Sequence, residues 1–262
     1  HSVLLVGEVG LGTGFAARCV AADYLYPNGG APAEALLRGE CCRAVAKAGK
    51  RDSGQIETGI VREAISVTGM GSGGRYLVGQ VTAMRSEIFN TSLSAEGRAV
   101  LLYHVERMNE ESANALLKVM EEPPEGVLFL LTADSLAGVL PTIRSRCISF
   151  AVAPVSPADC ARFCTAQGVD SKDAVLYSEL FDGHIGTVLD AARDEARRAL
   201  GSPAGQEDVK RWFFPASRER GYAEALIEDV WRILVSFASF GFCKAHAAAF
   251  ALPTYQSAWL KH

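Results

Sequence analysis

Apolar and polar positions alternate between two regimes along the chain. Short unbroken apolar runs, "VLLV" at 3–6, "AVLLYHV" at 99–105, "VLFLLT" at 127–132 and "CISFAV" at 147–152, read as buried strands. Between them lie stretches with helical spacing: about Phe15 to Leu25, residues 34–48, and "NEESANALLKVMEE" at 109–122. The last is the best-marked helix. Asn109 suits its cap, Glu110 and Glu111 suit the positive end of its dipole, and Ala113, Leu116, Leu117 and Met120 share one face. Pro123 and Pro124 stop it. "YPNGGAPA" reads as a loop and "GMGSGG" (69–74) as a flexible segment. Strands alternating with helices predict an α/β layer with a parallel sheet over residues 1–153.

After Pro154 the strand pattern ceases. Residues 157–168, 172–181 and 184–199 predict three short helices, a small helical domain over 154–200. "GSPAGQ" opens a linker at 201–207. Residues 208–262 are again helical in pattern, with Trp231, Leu234 and Phe237 at helical spacing.

Composition narrows the class. Of the residues, 49% are apolar and 21% charged, as in soluble globular chains. A net charge of −4 does not mark a nucleic-acid binder, although basic residues outnumber acidic ones after residue 207. The 7 cysteines form no secretory framework and read as reduced thiols in a cytoplasmic protein. No segment has the ~18 unbroken apolar residues of a membrane span. The chain starts at His1 without a methionine and reads as part of a longer reading frame.

The first strand is followed by "GEVGLGTG", residues 7–14. A phosphate-binding loop, G-x-x-x-x-G-K-[ST], belongs at that place. Gly7, Gly10 and Gly12 are present, but Thr13 occupies the lysine position and Gly14 the hydroxyl position. Lysine neutralises phosphate charge and the hydroxyl holds magnesium, so such a loop can cradle a phosphate only through backbone N–H groups. A plain glycine turn between strand and helix is the simpler reading of the loop alone. The acidic pair that should end the next strand is also missing: Tyr103 and His104 stand there, with Glu106 further on. Both losses predict a chain that does not hydrolyse ATP.

"LPTIRSRC" (140–147) sets two arginines on a short turn behind a proline. Arg146 is placed to reach a phosphate on a neighbouring subunit, since guanidinium matches the spread charge of a transferring phosphoryl group. A pair of solvated surface arginines is the alternative.

Together "NEESANALLKVMEEPP", "VLFLLTAD" and "LPTIRSRC" resemble the bacterial clamp-loader ATPase family of the AAA+ class, over about residues 1–200. Ser145, Arg146 and Cys147 match the Ser-Arg-Cys signature of its arginine-finger subunits. The resemblance is strongest to the delta-prime branch of the DNA polymerase III holoenzyme, and implies an AAA+ P-loop-type sheet with a helical lid. It implies a degenerate nucleotide site and an arginine finger, Arg146, offered in trans to ATP and magnesium on a neighbouring gamma/tau subunit. It also implies delta, the sliding clamp and primer-template DNA as partners through the complex, in a DNA-directed DNA polymerase assembly. Gly186 stands where an active paralogue places a sensor arginine.

Two departures stand out. The family's four-cysteine zinc module is reduced to Cys41 and Cys42, too few for a tetrahedral site, so no zinc or other metal is expected. In place of the oligomerising collar, residues 208–262 resemble the fingers region of the alpha subunit of C-family polymerases, especially the error-prone branch. "FASFGFCKAHAAAFALPTYQSAWLK" carries that likeness, with Lys244 and His246 as its polar residues toward nucleotide or template. Such a segment cannot polymerise without the carboxylates that the family keeps in its palm. Two other readings stay open: an active gamma/tau-type ATPase with an aberrant loop, and a fragment or fusion of the alpha subunit.

Overall fold

The computed structural model describes residues 2–90, 97–200, 203–219 and 221–239. The chain divides into two units, His1–Pro154 and Val155–His262.

In the first unit the elements run β1 (Ser2–Val6), α1 (Thr13–Leu25), α2 (Ala31–Leu37), β2 (Cys41–Lys47), β3 (Lys50–Glu57), β4 (Val61–Thr68), α3 (Val78–Asn90), β5 (Arg98–Tyr103), α4 (Glu110–Glu121), β6 (Val127–Ala133), α5 (Pro141–Arg144) and β7 (Ile148–Ala151). The seven strands form one sheet in the order β3-β2-β4-β5-β6-β1-β7. All pairs are parallel except β2 with β3.

A parallel sheet covered on both faces needs apolar residues on both sides of each strand, which is why the central strands are continuous apolar runs. Alternate residues go to opposite layers. Val100, Leu102, Phe129 and Leu131 join the core beneath α3 and α4; Ala99, Leu101 and Leu130 join the core beneath α1 and α2. Adjacent Cys41 and Cys42 divide the same way, Cys42 in the first core and Cys41 in the second. Neighbours on a strand point to opposite faces, so the two thiols cannot ligate one ion together.

Three readings of the first unit are corrected by its structure. The helix expected over 34–48 ends at Leu37 and β2 follows. Gly39, at φ 82, stops it: the N–H of Gly39 donates to the Leu36 carbonyl and that of Glu40 to the Ala35 carbonyl, a Schellman ending. Strands β2, β3 and β4 were not expected at all. The segment 69–74 is a tight backbone reversal in which the N–H of Gly71 donates to the Arg75 carbonyl at 2.8 Å. A Cβ on Gly69 would fall 1.9 Å from the Gly74 carbonyl oxygen, so the turn admits only glycine there.

Helix α4 forms as its sequence predicts. The Asn109 side chain accepts from the Ser112 N–H at 2.9 Å, and Ala113, Leu116, Val119 and Met120 are buried. Asn109→Ala is expected to cost about 1 kcal/mol. Urea denaturation measures it, and an unchanged midpoint would remove the cap from the account.

The second unit is helical: α6 (Pro157–Ala166), α7 (Ser171–Leu180), α8 (Ile185–Leu200), α9 (Pro203–Glu219) and α10 (Glu224–Ser239). Ser156 and Asp170 cap α6 and α7 through the N–H groups of Asp159 and Lys172. Cys160, Cys164, Ala174 and Val188 form the core of the first three helices. Val209, Phe213, Phe214 and Ile227 form a separate one with Trp231 and Leu234 against it. The linker read at 201–207 is corrected: the chain is helical from Pro203 onward. Lys244 and His246 lie outside the described residues, as does the side chain of Phe237.

Candidate functional site

Because β1, β5 and β6 are parallel neighbours, the segments that follow them gather at one edge of the sheet. The glycine loop follows β1. Gly10 and Gly12 take φ of 93 and 81, open to glycine without strain. The Gly7 N–H donates to the Ala133 carbonyl and that of Leu11 to the Glu8 carbonyl, so part of the loop's donor set is engaged within the protein. Thr13 is the first residue of α1 and is buried; a Cβ on Gly7 would lie 3.0 Å from its methyl group. A Cβ on Gly14 would meet the Tyr103 ring at 3.3 Å. Burial pushes the Tyr103 hydroxyl up from its ordinary pKa. The aromatic ring thus stands over the place where a hydroxyl residue would start the helix.

At the end of β5 the backbone turns through His104, one of two non-glycine residues with positive φ among those described (φ 58, ψ 54). The His104 N–H donates to Thr132 Oγ1 of β6 at 3.2 Å. Its ring Nδ1 lies 3.4 Å from Glu106 Oε1 and 3.3 Å from Asp134 Oδ1. Sequence reading marked His104 only as a lost acid and did not mark Asp134. The grouping depends on strand adjacency, which local sequence does not display.

Arg146 sits at the other end of the sheet. Helix α5 ends at Arg144, Ser145 caps it, and β7 begins at Ile148. Arg146 Nε donates to Glu121 Oε1 at 2.8 Å, its second terminal nitrogen pairs with the same oxygen, and Nη1 donates to the Thr142 carbonyl at 2.8 Å. Ser145 Oγ accepts from Nη1 at 3.3 Å. The Arg146 side chain keeps 31% of its surface exposed. It is neither free nor buried, but is stored against the last residue of α4. Cys147 packs against the core, and burial pushes its thiol up to about 11. It anchors the turn against the core.

Register fixes how far these groups are apart. β7 runs parallel to β1, with Val3 beside Ile148 and Val6 beside Ala151. Arg146 precedes the first pair and the glycine loop follows the last. At about 3.3 Å per residue, roughly 10 Å of strand separates the two even before both flanks are added. Of the sequence-marked residues, Gly7, Gly10, Gly12 and Thr13 come together; Ser145, Arg146 and Cys147 form a second cluster.

A parallel sheet with a glycine loop behind its first strand and an arginine turn before its last is an AAA+-type α/β domain. The chain belongs to the family described as "DNA polymerase III, delta subunit", which matches residues 1–156. It is 32% identical to DNA polymerase III subunit delta' of Pseudomonas aeruginosa over 195 residues, 74% of this chain and 55% of that protein. It is 23% identical to the subunit delta' of Bacillus subtilis over 232 residues, 88% of this chain and 64% of that one. A different likeness, 43% over 70 residues, is to DNA polymerase III subunit alpha of Campylobacter jejuni, covering 26% of this chain and 6% of that protein. The chain thus spans little more than half the length of its Pseudomonas delta' relative and a small part of the alpha subunit. Among the described residues no helix is long and apolar enough to cross a membrane.

Proposed function

We propose that the chain is a delta-prime-like, non-catalytic subunit of a clamp loader in DNA replication, supplying Arg146 to ATP on a neighbouring gamma/tau-type subunit. The carrying observation is the position of Arg146 at the opposite end of the sheet from the chain's own glycine loop. An arginine so placed is out of reach of the chain's own loop, which supports a role toward a nucleotide held by another molecule. The family match and the delta' relatives support the assignment to the loader. Delta, the sliding clamp and primer-template DNA are the further partners of this reading, in the cytoplasm.

The chain's own loop does not fit magnesium nucleotide. Thr13 offers no cation to the phosphates, Gly14 offers no hydroxyl, and Tyr103 and His104 replace the acids. No step is assigned there, and the loop's remaining role is to join β1 to α1. A second reading rests on the 70-residue likeness to polymerase alpha: a fragment of the alpha subunit rather than a loader subunit. Reconstitution with gamma/tau and delta distinguishes them, since a loader subunit enters that complex and a polymerase fragment does not.

Fluorescent ATP titration with magnesium tests the silent loop. The full chain is expected to show no saturable binding below millimolar ATP. Micromolar affinity would return the ATPase reading. The Thr13→Lys/Gly14→Thr double variant is expected to remain weak too, because the new threonine meets the Tyr103 ring. Adding Tyr103→Ala removes that obstruction.

The direct test of the arginine is hydrolysis by the neighbouring ATPase in the presence of the wild-type chain or its Arg146→Ala variant.

A further inference from the structure

His104, Glu106 and Asp134 offer three ligand atoms within 4.8 Å of one another at the sheet edge, and no role falls to them in the arginine-finger reading. Both carboxylate oxygens of Glu106 and the Nδ1 of His104 are buried and, among the described residues, have no hydrogen-bond partner. Leaving a buried carboxylate without donors is costly, and a native structure rarely does so without a reason. Glu106 follows the strained turn at His104, and Gly138 packs so close to it that a Cβ there would lie 3.0 Å from the Glu106 Cβ. The neighbouring charge is Arg107, whose Nε lies 3.7 Å from the same Glu106 oxygen without a hydrogen bond. Apart from the imidazole, two carboxylates face one guanidinium, an excess of negative charge.

The spacing carries the chemistry further. Ligands about 2.0–2.1 Å from a tetrahedral ion lie roughly 3.3–3.4 Å apart, whereas an octahedral ion of the same bond length sets neighbours near 2.9 Å. The distances from His104 Nδ1 to Glu106 and Asp134, 3.4 and 3.3 Å, match tetrahedral edges, and all three ligand atoms lie within 4.8 Å of one another. An imidazole nitrogen with two carboxylates suits zinc-class ions over magnesium or calcium. We infer that His104, Glu106 and Asp134 form a binding site for one divalent transition ion of the zinc class, which ties the end of β5 to the end of β6. This departs from the absence of metal expected from the cysteines alone.

The test uses the full chain stripped with chelator and titrated with Zn²⁺ by calorimetry, and with Co²⁺ by absorption. One equivalent is expected to bind, with Co²⁺ giving the intense visible bands of a tetrahedral site and no thiolate charge-transfer band. His104→Ala, Glu106→Gln and Asp134→Asn should each weaken binding at least 10-fold with the helical circular dichroism unchanged. Cys41→Ser/Cys42→Ser should bind as the wild type does. Three results overturn the site: no uptake, uptake that survives His104→Ala, or uptake lost with the cysteines. If His104→Ala fails to fold, the Asp134→Asn chain and the Co²⁺ spectrum decide alone. None of these readouts depends on the loader.

Discussion

Replacing Arg146 with alanine is expected to slow ATP hydrolysis by the neighbouring loader subunit by about 10³-fold or more. The size follows from what a guanidinium does at a phosphoryl group in transit, where charge is spread over several oxygens and a planar fork meets two at once. Arg146→Lys keeps the charge but loses the fork, so it should recover little of the rate. In the isolated chain the guanidinium is held by Glu121 and the Thr142 carbonyl, and that pairing must open before it can reach a neighbour. Glu121→Gln therefore serves as the companion variant: it weakens the storage contact, keeps Arg146, and should leave hydrolysis at least as fast. Steady-state phosphate release in the reconstituted complex measures all three. A rate unchanged in Arg146→Ala removes the finger.

Gln80→Leu is expected to lower the stability of the folded chain by about 3–5 kcal/mol. Gln80 is fully buried in the first turn of α3, and all four of its hydrogen-bonding positions are used. Its amide donates to the carbonyls of Ala44 and Thr68 at 3.1 and 2.8 Å, and its oxygen accepts from the N–H groups of Met70 and Leu77 at 3.2 Å each. One side chain thus joins β2, the last residue of β4 and the turn that follows. Leucine fills a similar volume but leaves two backbone carbonyls and two N–H groups without that partner, each costing about 1–3 kcal/mol where water cannot replace it. Urea unfolding of wild type and variant gives the difference. A loss below about 1 kcal/mol would mean that water or a backbone shift satisfies these groups, and the tie would be discarded.

These two residues show how unevenly the sequence displays its structure. The motif around Arg146 was legible because it is local, yet Glu121, which holds its guanidinium, lies 25 residues earlier and no spacing rule joins them. Gln80 carried no signal at all, since a buried glutamine matters only through backbone groups brought in from three other segments. Helix α4 was legible because cap, apolar face and terminating prolines agree. The sheet's other half was not. β3, "KRDSGQIE", is an edge strand with mostly polar residues and no alternation to find. β2 begins "CCRAVAK" behind an alanine- and leucine-rich helix, so helix propensity ran past its end. Gly39 was the available stop signal, needing only to be read as a left-handed helix ending rather than as an interior glycine. His104, Glu106 and Asp134 were each visible, but their meeting depends on β5 and β6 lying side by side.

The division of Cys41 and Cys42 between the two faces of the sheet has a consequence for how this protein reports its own opening. Each thiol is shut off by a different layer of helices, α1 and α2 over Cys41, α3 and α4 over Cys42. Burial also raises the Cys41 thiol above its ordinary pKa, which slows its reaction with alkylating reagents for as long as the layer stays closed. Two neighbouring residues therefore act as independent chemical clocks. The order in which they become labelled tells which side of the domain lifts away first.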